Sequence, residues 1–278
     1  MSLADAHLHL FARGFAGRYG RSPAGGDELR VYEDLRRVHG IGRALVVGYE
    51  GEPRYAGNND HVVAVAREHS WIAPLVHLPP DGPAAPDVLP AWLARGAAGV
   101  AVYLPGRAAA ERFAGWSPAT VDVLNLARAV VSLNATPAAL AAARRPLARL
   151  DGCAVLVSHL GLPGRYARPP TASEAQARLA PLLALADLPY FHVKVSGLYA
   201  ISDPAHVFPH HAADPFAAAV LDRFGPRRLL WGSDFPPCLD DVSFAQALEL
   251  PEVLDVNPDE RADIMGANLD RVLAGGPR

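Results

Sequence analysis

The chain has 278 residues, half of them hydrophobic and a fifth charged, with a formal net charge of −3. That composition excludes a disordered chain, and the charge gives no electrostatic case for nucleic acid or an anionic membrane. The length suits one α/β barrel, residues 1–278 as a single domain, large enough to bury its core without a disulfide staple.

Short apolar runs alternate with longer segments of helical spacing. Residues 3–11 form the first run. A glycine-rich loop at 14–26 and a helix near 33–38 follow it. The later runs are 44–50, 72–79, 99–104, 129–135, 153–161, 190–197 and 228–234. Helices are expected at 58–69, 87–95, 118–128, 137–150, 173–186, 214–224 and 258–273. Ser117-Pro118, Thr136-Pro137, Asp214-Pro215 and Asn257-Pro258 each put a capping side chain before an N1 proline. Eight strands alternating with eight helices read as a (β/α)8 TIM barrel. A doubly wound sheet would want a G-x-G-x-x-G turn after the first strand, and none is present.

Barrel chemistry sits where strands end. Period-two alternation in the first run puts Asp5, His7 and His9 on one face and Ala6, Leu8 and Leu10 on the other, against helices. His159 ends the sixth run and Asp234 the eighth. Singly these are weak signals, since a lone strand histidine is more often a satisfied core residue. Together they place three imidazoles and a carboxylate at strand mouths. That set suits zinc or a similar divalent ion, and equally metal-free acid–base work with Asp234 as base.

The chain has a single lysine, Lys194, against 25 arginines. In the seventh run the valines face the helices, so His192, Lys194 and Ser196 face inward. Lys194 either makes a structural ion pair with Asp5 or Asp234, or meets an anionic group of a substrate. His77 ends the third run and can reach the mouth. His39, His61 and His69 read as solvated helix residues, and His210-His211 as loop surface. Two cysteines, Cys153 and Cys238, are too few for a disulfide framework and have no nucleophile context. A reducing, cytoplasmic setting fits them. No signal peptide, membrane span or G-x-S-x-G elbow is legible.

The segments Asp5-Ala-His7-Leu-His9, Ser158-His159-Leu-Gly161, Lys194-Val-Ser196-Gly197 and Trp231-Gly-Ser-Asp234 resemble the amidohydrolase-related ("amidohydrolase 2") family. Residues 257–268 resemble its last helix. The Lys-x-Ser-Gly and Trp-Gly-Ser-Asp strands are most similar to the branch of sugar-lactone and 2-pyrone-4,6-dicarboxylate lactonases. The resemblance implies a (β/α)8 barrel that hydrolyses a small cyclic ester, with Asp234 activating water. It implies that His7, His9 and His159, with Asp234, either hold one divalent ion, zinc foremost, or polarise the carbonyl without metal. Two departures bear on this. Asn134 stands in the fifth run where metal-dependent members take a histidine. The fourth run lacks the arginines that read an anionic substrate, so Lys194, Tyr103, Asn134, Tyr199 and His77 are the substrate-binding candidates. The alternatives are a metal-dependent decarboxylase of a small aromatic or unsaturated acid and a non-catalytic binding barrel. The expected partner is a small molecule, with no nucleic acid and no membrane; a homo-oligomer stays open.

Overall fold

The computed structural model of the chain describes residues 2–275. Eight parallel strands pair in chain order. They are β1 (Leu3–Leu8), β2 (Ile41–Val47), β3 (Ile72–Leu78), β4 (Gly99–Leu104), β5 (Val130–Ala135), β6 (Ala154–Val157), β7 (Phe191–Val195) and β8 (Leu229–Trp231). A bridge between Leu8 and Phe235 joins the last strand's exit to the first and closes the barrel.

Helices fill the connections. They are α1 (Glu28–His39), α2 (Asn58–Glu68), α3 (Val88–Ala94), α4 (Arg107–Ala114), α5 (Pro118–Leu126), α6 (Pro137–Leu147), α7 (Ala172–Leu183), α8 (Leu198–Ile201), α9 (Asp214–Phe224), α10 (Phe244–Ala247), α11 (Pro258–Ala262) and α12 (Asn268–Leu273). Ser117, Thr136 and Asn257 cap their helices as their Pro-following pattern predicts. Asp214 does not cap: it is already helical, and its carboxylate takes a bond from His211 Nδ1 at 2.9 Å. The last expected helix is broken by a π-helical turn, Asp263–Ala267, and α4 is an element that the spacing did not announce.

The strands are apolar on both faces, as a covered parallel sheet requires. Ala4, Ala6, Leu45, Val47, Leu75, Ala101, Val130, Leu156 and Leu230 pack with Leu269 of α12 as an inner cluster. Val46, Val76, Val102, Leu133, Val155 and Val193 belong to the larger layer shared with the helices. No helix among the described residues is long and apolar enough to cross a membrane.

One expectation about β1 is overturned. Strict alternation puts Ala6 with Leu8 and Leu10, but Ala6 packs in the inner cluster and the leucines in the outer layer. The pairing register with β2 shifts between Asp5 and Leu8, so the alternation resets there. Asp5 therefore parts from His7 and His9. Its carboxylate accepts from Tyr32 Oη of α1 at 2.8 Å, from Ser233 Oγ at 2.5 Å, and from the Ser233 and His7 amides at 3.0 Å each. Burial lifts this carboxyl to about 6, and the bonds from Ser233, His7 and Tyr32 pull against that lift.

Asp5 thus holds β1 against the end of β8. Asp5→Ala leaves two amides and two hydroxyls without their acceptor. It is expected to lower the unfolding free energy by about 3 kcal/mol in urea melts with an unchanged slope; a loss within about 0.5 kcal/mol removes Asp5 from the closure.

Candidate functional site

β1 carries His7 near its end, and His9 follows it. β6 is followed by His159, and β8 by Asp234. All four residues are buried, with 1–7% exposure. The structure brings them together around the Asp234 carboxylate. His7 Nε2 lies 3.6 Å from Oδ1, His9 Nε2 3.8 Å from Oδ1, and His159 Nδ1 4.0 Å from Oδ2. Tyr199 Oη donates to Oδ2 at 2.6 Å.

Each of the three imidazoles is held from behind. His9 Nδ1–H donates to Val47 O at 2.7 Å, which leaves Nε2 as the lone-pair nitrogen facing Asp234. His159 Nδ1 meets Ser196 Oγ at 3.1 Å. His7 Nδ1 meets Lys194 Nζ at 3.1 Å and Ser158 Oγ at 3.3 Å, while its Nε2 is buried with no partner. Lys194 is fully buried and also donates to Ser132 Oγ at 2.7 Å.

Two of these residues are locally strained. His159 has φ 54° and Asp234 φ 58°, in the left-handed region that non-glycine residues enter at a cost. Glycines make the space. A Cβ on Gly197 would stand 2.4 Å from His159 Nδ1, and one on Gly232 would stand 2.7 Å from His7 Cβ.

The electrostatics are those of a buried site. Burial lifts Asp234 to about 6, opposed by His9, the Tyr199 hydroxyl and Lys194. Burial brings Lys194 down to about 7, opposed by Asp5 and Asp234. Burial and then Lys194 hold His159 at about 3 and His7 well below its ordinary value; burial also lowers His9. Burial thus disfavours the charged form of all three imidazoles.

His7, His9 and Asp234 offer ligand atoms within 4.8 Å of one another. The orphaned Nε2 of His7 and the free Nε2 of His9 make a donor set that fits a divalent ion. The bond from His9 Nδ1 to a main-chain carbonyl is the outer contact that such a ligand needs.

The other candidates ring the same mouth. Asn134 at the end of β5 is half-buried and pairs in register with Tyr103 of β4. The Tyr103 hydroxyl is buried without a partner. His77 packs on Tyr49 and Tyr103 at 5.6 Å each. His210 is not loop surface: it is 9% exposed, with its ring edge on Phe208, while its neighbour His211 is exposed. His39, His61 and His69 are half-buried, not solvated. The supporting hydroxyls of Tyr32 and Ser132 carry no motif, whereas Ser158 and Ser196 lie within the quoted segments. The sequence assigns neither serine a role; they back His7 and His159.

The model of the amidohydrolase family matches residues 4–274. L-fucono-1,5-lactonase of Burkholderia ambifaria is 36% identical over 110 residues, which is 39% of this chain and 33% of that protein. The match thus takes in about a third of the curated relative's length. An amidohydrolase from Burkholderia multivorans with bound zinc superimposes with TM-score 0.78 over 99% of both chains at 22% identity. A probable 2-pyrone-4,6-dicarboxylic acid hydrolase from Acinetobacter baumannii, with citric acid bound, does so with TM-score 0.74 over 99% of this chain and all of that one, at 17% identity. At these identities the superpositions speak to fold.

Gly197→Ala tests the packing behind His159. The added methyl must push the imidazole aside and strain a φ of +60°. Turnover of whatever substrate is found is expected to fall at least tenfold while circular dichroism stays native. Native turnover in this variant means that the His159 position is not critical.

Proposed function

The chain belongs to the amidohydrolase family, and on that premise we propose that it hydrolyses a small lactone, with residues 1–278 acting as one catalytic unit. What carries this reading is the convergence of Asp234 with three buried imidazoles at the mouth of the barrel. Asp234 is ionised above about pH 6 and takes a proton from water. The hydroxide adds to the lactone carbonyl, and with no ion bound the oxyanion is met by the Nε2–H of His7, which Lys194 favours by donating to Nδ1. Collapse of that adduct breaks the ring C–O bond. The leaving alkoxide takes the proton back from Asp234, and a hydroxy acid results.

His7, His9 and Asp234 would hold a divalent ion, zinc foremost, with His159 beside it. Such an ion supplies Lewis acidity and lowers the pKa of its water to about 7. Lys194 is fully buried and bonded to His7 and Ser132, which takes it out of the substrate set. Tyr103, Asn134, Tyr199 and His77 are the residues we assign to substrate. Tyr199 does this while holding Asp234 in place. Decarboxylation of a small acid has less support. The curated relatives that match this chain are lactonases.

A panel of aldonolactones, assayed by acid release, tests the reading. Asp234→Asn is expected to cost about 10³ in kcat with an unchanged unfolding midpoint; a variant with full activity ends the assignment. The rate should climb as pH rises through about 6, because protonated Asp234 cannot accept a proton. A rate constant from pH 4 to 8 contradicts that role.

The ion is tested separately by calorimetry on chelator-stripped protein. One zinc per chain is expected, with at least tenfold weaker binding in His9→Ala. Stripped protein that takes up no zinc and keeps full activity assigns the oxyanion to the imidazoles.

A further inference from the structure

A cavity of about 700 Å³ lies between the chain that leaves β7 and the chain that leaves β8. Residues 195–199 and 232–233 line it from the strands. Residues 208–211 line it from one connection, and 249–252, beyond α10, from the other. None of His7, His9, His159 and Asp234 lines it. Tyr199 does, and its hydroxyl is the one bonded to Asp234. The space therefore adjoins the reactive cluster without being part of it.

The lining is mainly apolar: Leu198, Val242, Leu250 and Pro251, with the rings of Tyr199 and Phe208. His210 is the polar side chain set among them. It is 9% exposed, and its ring edge meets Phe208 at 5.7 Å. Its Nδ1 is buried with no hydrogen-bond partner. Burial lowers the pKa of this ring, opposed by Asp241, the Val207 main chain and Asp214. A neutral imidazole offers one ring nitrogen as an acceptor. A polar atom buried without a partner is costly, and a ligand N–H would relieve that cost.

The charges around the cavity favour one sign of guest. Glu249 and Glu252 are exposed at its edge, and their side chains make no hydrogen bond or ion pair among the described residues. Asp214 is the third acid in the lining and is bonded to His211. No lysine or arginine lines the cavity. Asp241, which acts on His210, is already paired with Arg18. Loops after the seventh and eighth strands build a phosphate cup in many barrels; here their acids and their lack of cations oppose that use.

We propose that this cavity is a second binding site, which takes a small apolar molecule carrying a primary ammonium group. The aliphatic side chains and the two rings hold its body, His210 accepts from its N–H, and Glu249 and Glu252 attract its charge. Aromatic faces add to the attraction for an ammonium ion. The site stands apart from the lactonase reading, because no reactive group lines it. An occupant would touch Tyr199, the ring that holds Asp234.

The test is titration calorimetry on the full chain with three probes of one shape: 2-phenylethylamine, 2-phenylethanol and phenylacetate. The amine should bind with a Kd of about 1 mM or below, the alcohol at least about fivefold more weakly, and phenylacetate not measurably. Replacing the exposed pair, Glu249→Gln with Glu252→Gln, should bring the amine down to the affinity of the alcohol. His210→Phe keeps a ring in place and should weaken the amine about tenfold; its unfolding midpoint shows whether the fold is intact, and if it is not, the glutamate pair decides. Asp234→Asn should leave the amine within about threefold of wild type, which separates this cavity from the mouth. No amine binding at about 10 mM, equal binding of phenylacetate or the alcohol, an unchanged Kd in folded His210→Phe, or loss of binding in Asp234→Asn overturns the proposal.

Discussion

The seam where β8 meets β1 is the constraint on which the rest depends. It brings Asp234 and His7, from opposite ends of the chain, to one place. Two main-chain bonds sew it: Asp234 N to His7 O at 2.8 Å and His9 N to Phe235 O at 2.7 Å. Asp5 clamps it by accepting from Ser233 and Tyr32. A carboxylate taken out of water at this depth is tolerable only when so fully bonded. Gly232 lets the chain pass His7 closely enough for both bonds to form. The reactive cluster is thus a consequence of barrel closure rather than an addition to it.

Burial then sets the protonation of what the seam assembles. Both acids rise to about 6 and the lysine falls to about 7, so all three approach neutrality from opposite sides. The low dielectric and the lysine both disfavour protonation of the imidazoles. Lys194, held against His7 and Ser132, is a buried amine whose charge acts on Asp234. The sequence offered an ion pair with Asp5 or Asp234, or a substrate contact; both acids do act on the lysine by charge, though neither bonds it directly. Its hydrogen bonds run to His7 Nδ1 and Ser132 Oγ.

The architecture was legible because eight apolar runs at regular spacing allow few other arrangements. The strand-end rule then picked out His7, His9, His159 and Asp234 before any contact was known. Period-two counting failed in β1, because a register shift is a product of pairing and leaves no mark in a single strand's pattern. His210 was misjudged because burial by a loop depends on how that loop folds back, which residue type does not report. The ring contacts among Phe11, Tyr49, Tyr55 and Tyr103 were missed for a similar reason. These residues lie in four separate segments, and only closure of the barrel makes them neighbours.

The reactive groups and the neighbouring rings depend on different contacts. His159 and Asp234 sit in left-handed backbone and depend on Gly197 and on the seam, so little can change near them without loss of geometry. The rings after β2 and β4 make no hydrogen bond to those groups, so substitutions there leave the strained segments untouched. Tyr199 is the exception: it stands on the loop after β7 and holds Asp234 directly. Any replacement of Tyr199 therefore also alters the surroundings of Asp234, whereas Tyr49 and Tyr103 make no hydrogen bond to it.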